Sequence, residues 1–230
     1  MHNHIVRSYT EELDAVTDDL RRMGGIGESM VTDACRGLTT GNIALCDEVA
    51  LRDDQIDRHH EEVERRILRL FALRQPVGPD LRLVFAALKM AADLERIGDL
   101  AKNIARRGRA MDRSRELSAL TGVERMGKAV SLQLQDVLDS FNNRDARLAR
   151  EVWRHDEEVD QHYNSLFREV LTYMMEDPRT IGASTHLLFA AKNLERIGDH
   201  CTNIAETVSF LITGERLSAE TRPKVKDVDA

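Results

Sequence analysis

The stretch Leu94-Glu95-Arg96-Ile97-Gly98-Asp99 recurs letter for letter as Leu194-Glu195-Arg196-Ile197-Gly198-Asp199. The echo runs on through Asn103-Ile104-Ala105 and Asn203-Ile204-Ala205, so nine of the twelve positions from 94 to 105 match. Upstream, Asp33, Val49, Asp53 and Asp57 fall on Asp136, Val152, Asp156 and Asp160 at an offset of 103. Self-similarity on this scale is the mark of a duplicated unit. Around the repeated words the apolar residues recur with the helical period. Six amphipathic helices are expected, over 3–40, 42–74, 79–111, 117–142, 144–176 and 179–214. Thr40-Gly41-Asn42 and Asn142-Asn143 read as short turns between helices, and Pro76, Gly78 and Pro79 stop the second helix. Asp177-Pro178 makes the matching break in the second half. Each half is then a helix triplet. The sequence predicts an all-α protein of two tandem three-helix bundles, 1–113 and 114–214, packed end to end or side by side, with a polar, disordered tail over 215–230.

Composition agrees with a helical protein. Of 230 residues 42% are hydrophobic, enough for a core, while only 4% are aromatic and Gly 13 and Pro 4 are scarce. That supply of turn formers and β-favouring residues does not suit a sandwich or barrel. A net charge of −7 disfavours sequence-independent nucleic-acid binding, which needs a basic surface. The longest apolar run is the six residues Leu83 to Leu88, against the ~20 of a membrane span. The opening MHNHIVRSYTEEL has neither the basic nor the apolar region of a signal peptide, and Cys35, Cys46 and Cys201 form no CxxC pair. A cytoplasmic location is expected, with no disulfide framework and no thiolate zinc site.

Each copy holds two acidic pairs spaced acid-x-x-x-Asp: Asp53/Asp57 and Glu95/Asp99, then Asp156/Asp160 and Glu195/Asp199. Residues four apart on a helix lie about 40° apart, so each pair projects from one face, and like charges so placed destabilise the helix by a few tenths of a kcal/mol. Leu94, Ile97, Ala101 and Ile104 form a core stripe, and Glu95, Gly98, Asp99 and Asn103 lie roughly opposite. Asp53/Asp57 and Asp156/Asp160 instead border the apolar stripes of their helices, from which they can face the third helix across a groove. A mid-helix glycine costs about 1 kcal/mol relative to alanine. Gly98 and Gly198 therefore imply a close approach, by an ion with its waters or by a neighbouring helix. The functional reading is one all-oxygen cation site per copy, with Asn103 and Asn203 as supporting ligands, suited to Mg, Mn, Fe or Ca and less to Zn. A merely solvated acidic face is the bland alternative, but it needs no particular letters twice.

Other features weigh less. His59 and His60 follow Asp57 and read as surface histidines, since Tyr163 stands at the equivalent of His60. Arg106, Arg107, Arg109, Arg113 and Arg115 cluster at the joint, where they suit either a helix C-terminus or an acidic partner. Gly24-Gly25 and Gly27 read as a kink interrupting the first helix. No GxxxxGK[ST], GxSxG or HExxH occurs.

LERIGDLAKNIARR (94–107) and AAKNLERIGDHCTNIAE (190–206) strongly resemble the PhoU family, as do TYMMEDPRTI (172–181), RQPVGPDLRLV (74–84) and MGGIGESMV (23–31). The resemblance spans the chain apart from its tail. It implies a duplicated three-helix-bundle protein, an accessory to the high-affinity phosphate ABC transporter. Such a protein regulates phosphate uptake and restrains the phosphate-starvation response through the transporter's ATPase subunit and a membrane sensor histidine kinase. It also implies metal binding, because the family's (Glu/Asp)xxxAsp pattern matches all four pairs. The expectation is therefore a non-enzymatic, homodimeric, metal-binding adaptor that meets the membrane only through its partners, with Arg106, Arg107 and Arg109 as a docking patch. The competing class is a carboxylate-bridged metalloenzyme. Ferritin-like sites place a His three residues after a Glu, where Gly98 and Gly198 stand here.

Overall fold

The computed structural model describes residues 2–112 and 118–217. They form seven α-helices: α1 His2–Thr40, α2 Ile43–Arg74, α3 Gly78–Ala110, α4 Leu120–Asn142, α5 Ala146–Arg154, α6 Asp156–Glu176 and α7 Ile181–Thr213. A 3₁₀ turn, Pro178–Thr180, precedes α7, and there is no strand among the described residues.

The breaks follow local chemistry. Gly41 takes a left-handed φ of 73°, which lets the Asn42 N–H reach back to the Gly37 carbonyl at 3.0 Å. Asn42 then caps α2, its side chain accepting from the Leu45 N–H at 3.1 Å. Asp145 caps α5 by accepting from the N–H groups of Arg147 and Leu148 at 2.8 and 3.0 Å. Asp177 accepts from the Arg179 N–H at 3.1 Å and opens the turn before α7.

Helices α1, α2 and α3 pack as one bundle; α4, the α5–α6 pair and α7 pack as the other. The bundles lie side by side, α3 against α7 and α1 against α4, so of the two arrangements the sequence allows, this is the one adopted. Helices α3 and α7 run antiparallel, since Phe85 meets Phe210, Asp93 meets His200, and Arg107 meets Phe189. One apolar core runs through both bundles, and the expected stripe of Leu94, Ile97, Ala101 and Ile104 is fully buried within it. No described helix is long and apolar enough to cross a membrane.

Three local expectations need correction. The helix expected over 144–176 is two helices, split at His155 with φ −88° and ψ 9°. The His155 N–H is shared between the Glu151 and Val152 carbonyls, both at 3.2 Å, and its ring bonds the Glu151 carbonyl at 2.8 Å. No proline or glycine marks that split. It places Asp156, Glu157 and Glu158 in a first helical turn, where the helix dipole favours negative charge. Second, α1 continues through Gly24, Gly25 and Gly27 uninterrupted, and Leu138 of α4 fills the space beside Gly24. Third, the tail expected from 215 begins by packing, with Leu217 against the core; residues 218–230 lie outside the described residues, as do Arg113 and Arg115 at the joint.

Candidate metal centre

In the first bundle the acids of α2 face those of α3. They can do so because α2 lies close over Gly98, where an added Cβ would stand 2.8 Å from Ile56 Cδ1 and 3.8 Å from Asp53 Oδ1. The close approach that this glycine implies is thus a neighbouring helix. Asp53 is 2% exposed and its Oδ2 accepts from the Lys102 ammonium of α3. Asp53, Asp54 and Asp57 can bring one oxygen each within 4.8 Å of one another. Burial pushes the Asp57 carboxyl above its ordinary pKa, Asp53 pushes it further, and Asp99 and Asp54 add to this against Lys102. Glu95 is raised likewise, by burial first, with Asp99 and Asp57 adding and Arg96 and His60 opposing. Arg96 lies 3.4 Å from both Glu95 and Asp99. Asp53, Asp57, Glu95 and Asp99 are therefore one electrostatic cluster spanning two helices.

The second bundle repeats the cluster with different neighbours. Asp156 Oδ1 accepts from the Thr202 hydroxyl at 2.7 Å. Lys192 donates to Glu195 Oε1 at 2.5 Å, while Glu195 Oε2 is buried with no hydrogen-bond partner. Burial raises the Asp160 carboxyl pKa, followed by Asp156 and Glu195. Asp199 is raised by burial, then by Glu195, Asp156 and Asp160, with Lys192 opposing. Above Gly198 stand Val159 of α6 and the side-chain oxygen of Gln133 from α4, 3.4 and 3.3 Å from where a Cβ would be.

All eight sequence-predicted acids are thus gathered, four to a bundle. Asn103 is exposed, and Asn203 turns toward Asp93 of α3, its Nδ2 3.5 Å from Oδ1. The residues one position earlier, Lys102 and Thr202, touch the acids instead. Of the three arginines expected to dock a partner, Arg107 stacks on Phe189 at 4.4 Å and Arg109 bonds Asp47 at 2.8 Å, while Arg106 is exposed. His59 and His60 are half-buried rather than free surface groups: His59 lies 3.3 Å from Asp19 and His60 3.7 Å from Glu64. Sequence reasoning missed Asp54, although Glu157 is also acidic at the same offset of 103. It missed Gln133 too, which stands in the core register where the first copy has Met30.

The donor set fits a hard cation. It is all oxygen, it includes a buried carboxylate oxygen without a partner, and two carboxyls in each bundle are raised by burial and by their neighbours. A bound cation relieves that repulsion directly.

Fold and sites together define a duplicated three-helix-bundle protein with one four-carboxylate cluster in each copy. The family model described as the PhoU domain matches residues 20–108 and 123–208. The chain is 52% identical over 226 residues to the phosphate-specific transport system accessory protein PhoU homolog of Caulobacter vibrioides, covering 98% of each protein. It is 44% identical to the homolog of Rhizobium meliloti, covering 97% of this chain and 94% of that one. Its fold matches the crystal structure of PhoU from Pseudomonas aeruginosa with a TM-score of 0.87 at 39% identity, over 90% of this chain and all of that one. The phosphate transport system regulatory protein PhoU from Streptococcus pneumoniae matches at 0.84 and 27% identity, over 91% and 99%. The chain belongs to the PhoU family.

Proposed function

We propose that this protein is an accessory of phosphate-specific transport that restrains phosphate uptake and the phosphate-starvation response as a metal-binding adaptor. The near full-length identity to transport accessory proteins carries this reading. The adaptor acts in the cytoplasm as a homodimer between the transporter's ATPase subunit and the sensor histidine kinase of the phosphate regulon. A relay of this kind requires different affinities for two states of a partner, and long exposed helix faces supply the surface for that discrimination. Asp53, Asp57, Glu95 and Asp99 would hold one hard cation or a small cluster, and Asp156, Asp160, Glu195 and Asp199 another. The bound charge would stiffen the groove between the second and third helices of each bundle.

The metalloenzyme alternative gains no support from the geometry. The positions where a ferritin-like His would stand are glycines, and Ile56 or Val159 and Gln133 fill the space above them. The test of function is expression from a phosphate-starvation promoter in a strain lacking this chain and any second relative. The promoter should stay on in phosphate-rich medium. Normal repression there overturns the regulatory reading and leaves the fold standing.

A further inference from the structure

The seam between α1 and α4 is filled unevenly by the two copies. At the offset of 103, Gly24 is the equivalent of Gly127 and Cys35 that of Leu138. Each glycine receives a side chain of the other helix: a Cβ would stand 2.6 Å from Leu138 Cδ2 at Gly24 and 2.7 Å from Cys35 Sγ at Gly127. Cysteine is shorter than leucine, so a cleft of about 600 Å³ stays open at the second contact, lined by Thr32, Cys35, Gly127 and Leu132 and exposing mainly carbon. Leu132, which stands where the first copy has Ser29, is 60% exposed. Among the described residues of α1 and α4 it is the one large apolar side chain left so.

Two further clefts flank it on the same face. Between α1 and α2, Gly25 lines one with Arg21, Arg22, Arg52 and His59, about two turns along α1 from Thr32 of the central cleft. On the other flank Leu132 lines both the central cleft and one between α4 and the α5–α6 pair, with Asp136, Glu151, His155 and Glu158. The first lining holds three arginines and no acid; the second holds three acids and neither lysine nor arginine. The contrast is written in equivalent positions. Asp33 and Glu48 recur as Asp136 and Glu151, but Arg52, 2.7 Å from Asp33 and 3.6 Å from Glu48, gives way to His155, and Gln55 gives way to Glu158. The His155 ring bonds the Glu151 carbonyl and lies 3.9 Å from the exposed Glu158, while Arg147 bonds the Glu151 carboxylate at 2.7 Å from outside the lining. In the first cleft Arg21 bonds Asp18 at 2.9 Å, and Arg22 is 67% exposed with Asp19 4.0 Å away, so the acids behind these arginines leave their outer N–H groups to solvent.

We infer that two copies of this chain meet on this face, about a twofold axis running along the helices, with the basic cleft of each copy over the acidic cleft of the other and Leu132 buried between them. This rests on the homodimer reading above and gives it an interface. Across the face the order is basic, apolar, acidic. Of the twofold axes lying in the face, the one along the helices reverses that order, so opposite charges meet twice in one closed contact. Overlap along α4, about 34 Å, and across four helices, about 27 Å, covers about 900 Å² per copy, against the ~800 Å² per partner of a standard stable interface.

The experiment is sedimentation equilibrium of the full chain, with circular dichroism melts to check that each variant is folded. Leu132→Glu should raise the dimer Kd about tenfold or more. Arg22→Glu alone and Glu158→Arg alone should each raise it about tenfold, because each sets like charges against one another at both contacts of the dimer. An equimolar mixture of those two single variants should recover dimer that neither forms by itself. In the mixed pair the two altered clefts face each other, and so do the two unaltered ones. Mixing does not mend a misfolded chain, so the recovery separates an interface from a loss of stability. A dimer unmoved by Leu132→Glu, or a mixture that associates no more tightly than its components, would overturn this interface and leave the homodimer reading standing. An unsubstituted chain that stays monomeric at its highest soluble concentration would overturn both.

Discussion

Alanine at Gly98 separates two reasons for having a glycine beside the acids. In helix terms the substitution is favourable by about 1 kcal/mol. In packing terms the new Cβ stands 2.8 Å from Ile56 Cδ1, and Ile56 is fully buried. Overpacking a core at such a contact costs typically about 1–3 kcal/mol. The balance for Gly98→Ala is a loss of roughly 0–2 kcal/mol. At Gly198 the tightest neighbours are 3.3 and 3.4 Å away, so Gly198→Ala should fall near neutral or gain stability. The offending atom is one methyl, and Ile56→Val removes it at a cost of about 0.5–1.5 kcal/mol on its own. The double variant Gly98→Ala/Ile56→Val should therefore be more stable than the sum of the two single changes. Urea unfolding followed by far-UV circular dichroism in excess chelator measures all four proteins, and Mn²⁺ stoichiometry is read separately. If Gly98→Ala loses bound metal with its stability unchanged, or if the double variant shows no coupling, the glycine serves the ion and not the helix.

Three further outcomes follow from the site and its surroundings. In chelator, the raised carboxyls Asp57, Glu95, Asp160 and Asp199 bind protons in the folded chain at a pH where the unfolded chain has released them. Metal-free stability should thus rise as the pH falls from those raised values toward the ordinary carboxylate range, whereas metal-loaded stability should fall as protons displace the ion; melting temperature against pH with and without Mn²⁺ shows the opposed slopes, and parallel curves refute the account. At neutral pH a hundredfold excess of Mn²⁺ over its Kd adds about 2.7 kcal/mol, or roughly 5–11 °C of melting temperature in a chain of this size, and chelation should remove it. Glu12 binds Arg74 in a two-bonded pair at 2.9 and 3.1 Å, and chiefly that contact lowers its pKa, so its contribution is present above the ordinary carboxylate range and lost as the pH falls through the lowered value. Glu12→Gln should cost about 1 kcal/mol near neutrality and nothing in strong acid, by melting curves at the two pH values.

The helix triplets were legible because the core stripes keep the helical period and because Gly41-Asn42, Asn142-Asn143 and Asp177-Pro178 are turn-forming residues that stand at the breaks between helices. The acids were legible because they are duplicated. What escaped reading has two physical causes: local geometry that no residue type announces, and partners distant in the chain. The split at His155 comes from a shared hydrogen bond and a ring on a carbonyl, and neither has a signature in the letters. Lys102 reads as an ordinary charge on a polar face until Asp53, forty-nine residues away, is brought beside it. Asn103 and Asn203 are shared by both copies, yet their neighbours Lys102 and Thr202 are the residues that bond Asp53 of α2 and Asp156 of α6. Gln133 lies among apolar residues of α4, and only the approach of α7 puts Thr202 and Gly198 in front of it.

The differences between the copies have a pattern of their own. Leu100 is buried, whereas His200 turns out of its bundle and bonds Asp93 of α3 at 2.8 Å. Under the antiparallel pairing of α3 and α7 the mate of Asp93 is Asn193, and the mate of His200 is Leu100, so this contact exists on one side of the pseudo-twofold relation and not the other. Ala101 and Cys201 both stay in the core and exchange only volume. Lys102 and Thr202 then set the charge of the two clusters. Three adjacent substitutions thus act on three different things: the seam between the bundles, the packing of one bundle, and the cation balance of each acidic groove. The letters that must be equal for a symmetric cluster, Glu, Asp and Gly, are the ones retained.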